Sequence, residues 1–300
     1  MAAPQRTMVA RLAGPVQSWG AEPTLRTATT HSTPTWSGLL GLCRAALGHG
    51  RTDPPEQIAW LRELTMAVRV DAPGSVHVDY HTINPLPAAY ARFDGVGSTS
   101  RERGLVPLGT KLQAKGQAAR WEVNGSSTMV TRRHLIHDAA FVWLVTGPGD
   151  VVEPLAAALA APRWQLALGR ASCTPASPVL LGTHAGGLLD AARLVPRAAP
   201  GHQRRPRRLA GSADQVDLVW VHENTDRAQP GGPAGQPDRV RVVLDVPLGS
   251  HPQNGYAAGR HRVQRLTAPD DGDVLSWAFN HLSHPARPAG DQQTLKESDD

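Results

Sequence analysis

The N-terminal part of the chain has a pattern of apolar and polar positions that predicts a strand followed by a helix. In TMVARL (7–12), the residues of one face are apolar, as expected for a half-buried β-strand. After a loop, apolar residues recur at helical spacing from Trp36 to Leu47, and Gly48 follows as a helix stop. The pattern therefore predicts a strand, a loop and a largely buried helix.

Further segments continue this succession of strands and helices. MAVRV (66–70) and VHVDYHT (76–82) predict a hairpin, and DVVEPLAAALA predicts a helix that begins near Asp150. Strands are also predicted for STMVTRRHLI, AAFVWLVTG and WQLAL (164–168). The order strand, helix, strand, insertion, strand, helix, strand is the split β-α-β-β-α-β arrangement of ferredoxin-like domains, which RNA-recognition motifs also use. We therefore predict an α+β fold of this type.

Glycine, proline and polar residues divide the chain into regions. A first domain is predicted over 1–175, interrupted by an insertion at 83–127 that has little periodicity. A small β-rich C-terminal domain is predicted over 176–282, with strands at 216–222, 239–246 and 274–279. Residues 283–300 are predicted to be a disordered tail.

The charge is unevenly distributed, and this bears on the expected partners. The 300 residues have a formal net charge of +5, whereas the last ten have −3, which leaves +8 for the other 290. A basic body favours a polyanionic partner such as nucleic acid, although a solvated basic surface explains the charge equally well. The basic run from Arg193 to Arg208 has the same two interpretations, a solvated arm or a phosphate-contacting arm.

The cysteines and the apolar segments argue against several classes of protein. Two cysteines in a chain of 300 residues do not indicate a disulfide scaffold. Neither Cys43 nor Cys173 lies in a zinc-binding spacing, so no metal site is predicted. The N-terminus does not resemble a signal peptide, and no stretch approaches the ~18 apolar residues that span a membrane. The expectation is a cytoplasmic protein with no cofactor and no membrane contact.

Two segments in the first strand–helix connection contain polar and aromatic side chains. They contribute Gln17, Ser18, Trp19 and Gly20 from VQSWG, and Thr33, Thr35, Trp36, Ser37 and Gly38 from TPTWSG. A helix N-terminus there can bind a phosphate through its free N–H groups, and the ring of Trp19 can stack on a base. In this interpretation Gln17 reads a base edge of unpaired RNA. Alternatively, both tryptophans fill the core and Ser37 only caps the helix.

Five segments, in order, resemble the CasD family, the subunit of the type I-E CRISPR Cascade complex that holds the 5′ handle of the guide RNA (crRNA). The matching segments are Leu12–Gly20, Thr33–Leu42, Asp79–Thr82, Thr131–Phe141 and Leu168–Pro175. The resemblance covers about residues 7–180 and implies a modified RNA-recognition (RAMP) domain, an inserted thumb-like β-hairpin and a small C-terminal β domain. One departure is Trp36, where many relatives have a basic residue, so stacking or packing is expected there.

The resemblance also implies a role, which is RNA binding and assembly in antiviral defence without catalysis. Such a subunit caps one end of Cascade, grips the crRNA 5′ handle, contacts the backbone subunit CasC and the large subunit CasA, and meets target DNA only through the complex. The insertion at 83–127 matches the thumb, and its basic residues suit phosphate neutralisation. The RNA contacts expected beyond the first connection are Arg44, His81, Arg101, Lys111, Lys115, Arg132 and Arg170.

Two other functions are compatible with the residues. Tyr80 and His81, with His134 and His137 later, could cleave repeat RNA without a metal, one group removing the 2′-OH proton and another protonating the leaving oxygen. The resemblance is to the non-cleaving branch, in which His81 instead donates a hydrogen bond near the RNA or packs under the sheet. The third possibility is a structural adaptor whose basic surface contacts protein.

Overall fold

The computed structural model divides the chain into two compact units. The residues that it describes are 3–23, 26–50, 53–83, 110–115, 118–123, 129–198, 214–223, 239–247, 256–269 and 273–285. Unit 1 comprises Met1–Glu22, Thr29–His77 and Leu135–Asp300, and unit 2 comprises Pro23–Ala28 and Val78–His134. Each unit is described by itself below.

The described residues form strands and helices with the following bounds. The strands are β1 (Gln5–Ala13), β2 (Val16–Gln17), β3 (Trp19–Pro23), β4 (Thr27–His31), β5 (Thr65–Ala72), β6 (Ser75–Ile83), β7 (Thr110–Lys115), β8 (Ala118–Val123), β9 (Met129–His137), β10 (Ala140–Pro148), β11 (Leu180–Ala185), β12 (Asp214–His222), β13 (Arg239–Pro247) and β14 (Tyr256–Ala268). The α-helices are α1 (Trp36–Leu47), α2 (Gly149–Ala160), α3 (Leu188–Leu194) and α4 (Val274–His281), and a 3₁₀ helix spans Pro55–Glu63.

Four strands of unit 1 form the ferredoxin-like core. They lie in the order β11-β1-β10-β5, and each neighbouring pair is antiparallel. In chain order these are the fourth, first, third and second strands of the core, with α1 between the first two and α2 between the last two. This arrangement is the split β-α-β-β-α-β topology, so the predicted α+β, ferredoxin-like fold is confirmed.

Three C-terminal strands extend the same sheet beyond β5. β12 pairs antiparallel with β5, with Val219 opposite Val68, and β14 and β13 follow outward from it. The complete sheet of unit 1 therefore has seven strands in the order β11-β1-β10-β5-β12-β14-β13. It contains strands from both of the predicted domains, 1–175 and 176–282.

Both faces of the sheet are buried along most of β1, so this one strand contributes to two cores. Met8 and Leu12 point to one face, where they pack in a cluster with residues of α1 and α2. Val9 and Ala13 point to the other face and belong to a cluster with residues of α3 and α4. Side chains alternate along a strand, so these two sets of residues lie on opposite faces of β1. The predicted apolar face is confirmed, and the opposite face is apolar as well.

The predicted strand WQLAL (164–168) is wrong. The Leu168 N–H donates to the carbonyl of Cys173 at 2.6 Å, so the end of this segment belongs to a tight turn. The fourth core strand is β11 instead, further along the chain. The turn hydrogen bonds outweigh the apolar pattern of so short a segment.

The predicted strand VLSWAF (274–279) is also wrong, because these residues belong to helix α4. Asp273 caps the helix by accepting hydrogen bonds from the N–H groups of Leu275 (3.4 Å) and Ser276 (3.2 Å). The buried residues Val274 and Ala278 are four positions apart, which fits one face of a helix. The capping aspartate is the sequence signal that favours the helix.

Unit 2 contains the hairpin of strands β7 and β8. The two strands pair antiparallel from Thr110 opposite Val123 to Lys115 opposite Ala118. This hairpin lies inside the predicted insertion at 83–127 and agrees with the expected thumb-like β-hairpin. In the same unit β4 runs parallel to β9 where Thr27 pairs with Arg132.

Several predictions lie outside the described residues. They concern Arg101 in the insertion, residues 199–208 of the basic run and residues 286–300 of the predicted tail. The backbones of Lys111 and Lys115 are in β7, but their side chains are outside the described part of the chain. Among the helices that the structure describes, none is long and apolar enough to cross a membrane.

Candidate nucleic-acid interface

The side chains of the QSWG segment (residues 17–20) of unit 1 are buried rather than exposed. The side chains of Gln17 and Trp19 are both 0% exposed. Gln17 uses its whole amide internally, because Nε2 donates to the carbonyls of Leu12 (3.2 Å) and Ala139 (2.9 Å) and Oε1 accepts from Trp19 Nε1 (3.1 Å). Of the two interpretations of Trp19, the structure therefore shows core packing, since the amide and the indole satisfy each other in the core. In this conformation neither the indole ring nor the amide is open to a base.

The QSWG segment docks on the turn formed by LGRASC (168–173). The Ser18 N–H donates to the Leu168 carbonyl at 3.0 Å, and Gly169 follows with φ +91°. A Cβ built on Gly169 would lie 1.7 Å from the Ser18 carbonyl oxygen, so this approach requires glycine. Two segments that are distant in the sequence, and that both resemble the CasD family, are therefore neighbours in space.

A second close approach joins the same two stretches of chain. A Cβ on Gly14 would lie 2.6 Å from the carbonyl oxygen of Thr174. The Ala176 N–H donates to the Ala13 carbonyl at 2.9 Å. Sequence reasoning did not single out Gly14 or Gly169, although the dipeptides Gly-Pro and Gly-Arg in the matching segments were the available signal.

The N-terminus of α1 lies directly against Trp19. Thr35 is the N-cap and accepts from the Gly38 N–H at 3.3 Å, and its hydroxyl lies 3.4 Å from that of Ser37. A Cβ on Gly38 would lie 2.8 Å from Trp19 Cε3, so the helix approaches the indole closely. The remaining predicted contacts differ in exposure: Thr33 and Thr35 are buried, Ser37 and Gly38 are half-buried, and Gly20 is exposed.

Trp36 packs against a histidine from the C-terminal part of the sheet. Its ring stacks on that of His222, with centroids 4.1 Å apart and planes 21° from parallel. His222 Nε2 lies 2.8 Å from the Arg62 carbonyl. Burial lowers the pKa of His222, so the imidazole is neutral at neutral pH. Of the two alternatives for Trp36, the structure shows packing.

The two predicted arginine contacts of unit 1 have different surroundings. The Arg44 guanidinium donates to the carbonyls of Gly50 and Asp53, so it holds the loop that follows α1. Arg170 is half-buried in the 168–173 turn, where its carbonyl accepts the Cys173 N–H at 2.9 Å. Burial raises the pKa of the Cys173 thiol, and the charge of Arg170 opposes that shift. Arg170 therefore lies next to the docked QSWG segment.

In unit 2, Tyr80 and His81 occupy opposite faces of β6. His81 Nε2 lies 2.7 Å from the Asp79 carboxylate, whereas the Arg132 guanidinium lies 5.9 Å from the centroid of the Tyr80 ring. Successive residues of a strand point to opposite faces, so Tyr80 and His81 do not converge on one phosphate. This geometry argues against the acid–base pair that the endoribonuclease interpretation requires.

The other candidate histidines, His134 and His137, belong to different units. His134 is half-buried in unit 2. His137 belongs to unit 1, where its ring centroid lies 4.5 Å from that of His77. Within the described ranges, no three His, Cys, Asp or Glu side chains are arranged to hold a metal ion.

The fold and the docked segments define a class of protein, a ferredoxin-like domain of the RNA-recognition type with an inserted hairpin. Residues 7–263 match the family described as CRISPR-associated protein (Cas_Cas5). The chain therefore belongs to the Cas5 family of CRISPR-associated proteins.

Individual relatives support this assignment. The chain is 33% identical over 188 residues to the CRISPR system Cascade subunit CasD of Escherichia coli (strain K12), covering 59% of this chain and 70% of the relative. A chain from a solved CRISPR RNA-guided surveillance complex has a TM-score of 0.62 and 28% identity, covering 92% of this chain and 98% of its own length. A crystal structure described as a Cas protein has a TM-score of 0.52 and 25% identity, with 94% and 100% covered. The resemblance to the CasD family is thereby confirmed.

Proposed function

We propose that this protein is the Cascade subunit that binds the 5′ handle of the crRNA and caps that end of the complex, without catalysing a reaction. The observation that carries the proposal is the docking of the QSWG segment on the 168–173 turn at the end of β1. It joins two family-matching segments into one surface beside the N-terminus of α1. The relative named as a Cascade subunit and the neighbour from an RNA-guided complex supply the biological context.

The burial of the QSWG side chains changes how this surface would hold RNA. Gln17 and Trp19 would act indirectly, by fixing the shape of the segment. Direct contact would come from the exposed backbone at Gly20 and the half-buried Ser37 and Gly38, which allow a phosphate to approach closely. Arg170 would supply positive charge next to the segment.

Unit 2 would add further cations to the RNA path. Arg132 is exposed on β9, and Lys111 and Lys115 lie along β7 of the hairpin that matches the family's thumb. Lysine and arginine side chains bind the phosphate backbone regardless of sequence. Sequence selectivity for the handle would therefore come from the surface at the end of β1.

The proposed partners are the crRNA, the backbone subunit CasC and the large subunit CasA, with target DNA met only through the complex. Assembly is proposed to take place in the cytoplasm. The support is the description of the E. coli relative as a subunit of Cascade. Co-expression with CasC, CasA and a crRNA should yield a complex that contains this chain.

Nuclease footprinting of the crRNA in that complex tests the proposal. With this subunit present, the handle should be protected from added ribonuclease, and omission of the subunit should expose the handle while the spacer stays protected. Incubation of the purified chain with repeat RNA in EDTA should leave the RNA intact. Site-specific cleavage that is lost in His81→Ala would instead establish the endoribonuclease.

A further inference from the structure

Unit 2 has an exposed apolar and aromatic surface around Tyr80. Tyr80 is 61% exposed and Val78 is 41% exposed on β6, and Val130 is 46% exposed on β9. β6 pairs with β9, so these residues belong to adjacent strands. Exposed apolar groups that cluster in this way mark a binding surface.

Arginine completes this surface. The Arg132 guanidinium lies 5.9 Å from the centroid of the Tyr80 ring, within the range of a cation–π contact. The backbone N–H of Arg132 donates to the Arg26 carbonyl at 2.7 Å, which places the exposed residue Arg26, just before β4, beside β9. Val130 and Arg132 are two positions apart on β9 and so share a face. We refer to Val78, Tyr80, Val130 and Arg132 as the Tyr80 platform.

The nearest carboxylate on β6 is directed away from the Tyr80 platform. Asp79 and His81 alternate with Val78 and Tyr80, so they occupy the opposite face of the strand. On that face the Asp79 carboxylate lies 2.7 Å from His81 Nε2. The Tyr80 platform therefore combines a flat ring, apolar side chains and a guanidinium, with the strand's own acid on the reverse side.

We propose that the Tyr80 platform stacks an unpaired base of single-stranded RNA, with Arg132 contacting the adjacent phosphate. The inference rests on the proposed function and names a further contact for the same RNA. A ring that is exposed over most of its area can stack on any base, and a neighbouring cation neutralises the backbone that follows it. The OH of Tyr80 is not required for this interaction.

The same surface could be covered by a protein, but its charge favours RNA. The charged side chain of the Tyr80 platform is the Arg132 guanidinium, and the exposed residue Arg26 adjoins β9 at Arg132, so the charge of this surface matches a phosphate backbone. The combination of an aromatic ring with arginine is the usual composition of a single-strand binding surface. A protein partner is therefore the alternative that the experiment must distinguish.

Binding of the fluorescein-labelled 5′-handle RNA of the host repeat to the full-length chain tests the proposal. Tyr80→Ala should weaken binding about 5- to 100-fold, and Tyr80→Phe should stay within about 2-fold of the native chain, because the ring is retained. Phe279→Ala is the matched control, since Phe279 is an exposed aromatic of unit 1 at 77% exposure. It should leave the affinity unchanged. Ultraviolet cross-linking should also attach the RNA to the peptide that contains Tyr80.

The outcomes separate this proposal from the function on which it rests. If the native chain prefers handle RNA but Tyr80→Ala binds equally well, the platform is overturned and the proposed function stands. The platform is also overturned if Tyr80→Phe loses as much affinity as Tyr80→Ala, or if Tyr80→Ala weakens only the association with CasC or CasA. If the native chain does not prefer handle RNA, the proposed function itself fails.

Discussion

The carbonyl oxygen of Ser18 occupies the space that a side chain at Gly169 would need. A Cβ on Gly169 would lie 1.7 Å from that oxygen, and the Leu168 carbonyl accepts the Ser18 N–H at 3.0 Å. The backbone at residue 169 adopts φ +91°, which side chains rarely tolerate. The turn and the QSWG segment are thus fitted backbone to backbone at the proposed handle-binding end.

Gly169→Ala should lower the free energy of unfolding by about 2–4 kcal/mol, because the new Cβ is strained at this φ and meets main-chain atoms. Urea denaturation followed by circular dichroism measures this. Gly41→Ala is the control, since a Cβ there has nothing within 4 Å and Gly41 lies inside α1. It should be neutral or stabilising by up to about 1 kcal/mol. Equal stabilities of the two variants would contradict the required backbone approach.

Gln17→Met should destabilise the fold by about 2–4 kcal/mol, because it leaves two buried carbonyls and the Trp19 indole N–H without their hydrogen bonds. The thermal unfolding midpoint should fall, whereas Gln57→Met, at an exposed position of the 3₁₀ helix, should leave it unchanged. A Gln17→Met chain of native stability that binds handle RNA poorly would show instead that Gln17 contacts the RNA directly.

Asp71→Asn should be among the most damaging single substitutions, at about 3–5 kcal/mol, because it removes the partner of a buried charge. The side chains of Arg69 and Asp71 are both 0% exposed and joined by bonds of 2.7 and 2.8 Å. Arg69 also donates to three carbonyls at and beyond the end of α3: Ala192, Val195 and Pro196.

The exposed pair of Asp217 and Arg265, at 3.5 Å, provides the control for this buried pair. Asp217→Asn should cost less than about 1 kcal/mol, because solvent screens the pair. Chemical denaturation of both variants compares the two positions. A loss for Asp71→Asn no larger than that for Asp217→Asn would contradict the role assigned to the buried pair.

Stability should decrease below about pH 6.5 partly through His222. Burial lowers the pKa of His222 in the folded state from its ordinary value of 6.5, and this outweighs the hydrogen bond to the Arg62 carbonyl. Below pH 6.5 the unfolded chain therefore binds more protons at this residue than the folded chain does. The contribution is complete above that pH and is lost as the pH falls toward the lower folded-state pKa.

His222→Gln removes this titration while keeping a polar side chain of moderate size. The difference in thermal midpoint between the native chain and His222→Gln should shrink as the pH is lowered from about 8 to about 5. The charges of Arg62 and Glu223 act on the same ring in opposite directions, so both residues are left in place. Midpoint curves that remain parallel would contradict a buried, neutral His222.

The sequence is sufficient for three of the four core strands and for both core helices, because its signals there are local. The alternation in β1, the apolar spacing of α1 and the acidic start of α2 each lie within a dozen residues. The order of these elements then selects the split topology. The strand predicted for VLSWAF is wrong because six residues are too few to distinguish the apolar spacing of a helix from that of a strand. The N-cap Asp273, one residue before this segment, favours the helix.

The exposure of the candidate site depended on contacts that the sequence does not reveal. In the sequence, Gln17 and Trp19 have the composition of a polar, aromatic loop. In the structure, the Gln17 amide donates to the carbonyl of Ala139, which is far along the chain, and this contact buries the segment. Trp36 likewise finds its ring partner in His222, from the C-terminal part of the sheet. Contacts between residues that are distant in the sequence therefore bury side chains that were candidates for RNA binding. Only the resemblance to the CasD family linked the segments that contain them.

Competition between two labelled RNAs for the full-length chain tests the central claim most directly. At moderate salt, an unlabelled 5′-handle RNA should displace labelled handle RNA at least about 10-fold more effectively than a scrambled RNA of the same length and composition, since phosphate contacts alone do not discriminate sequence. Equal displacement by the two competitors would contradict the account, because it would show that the chain binds RNA without regard to the handle sequence.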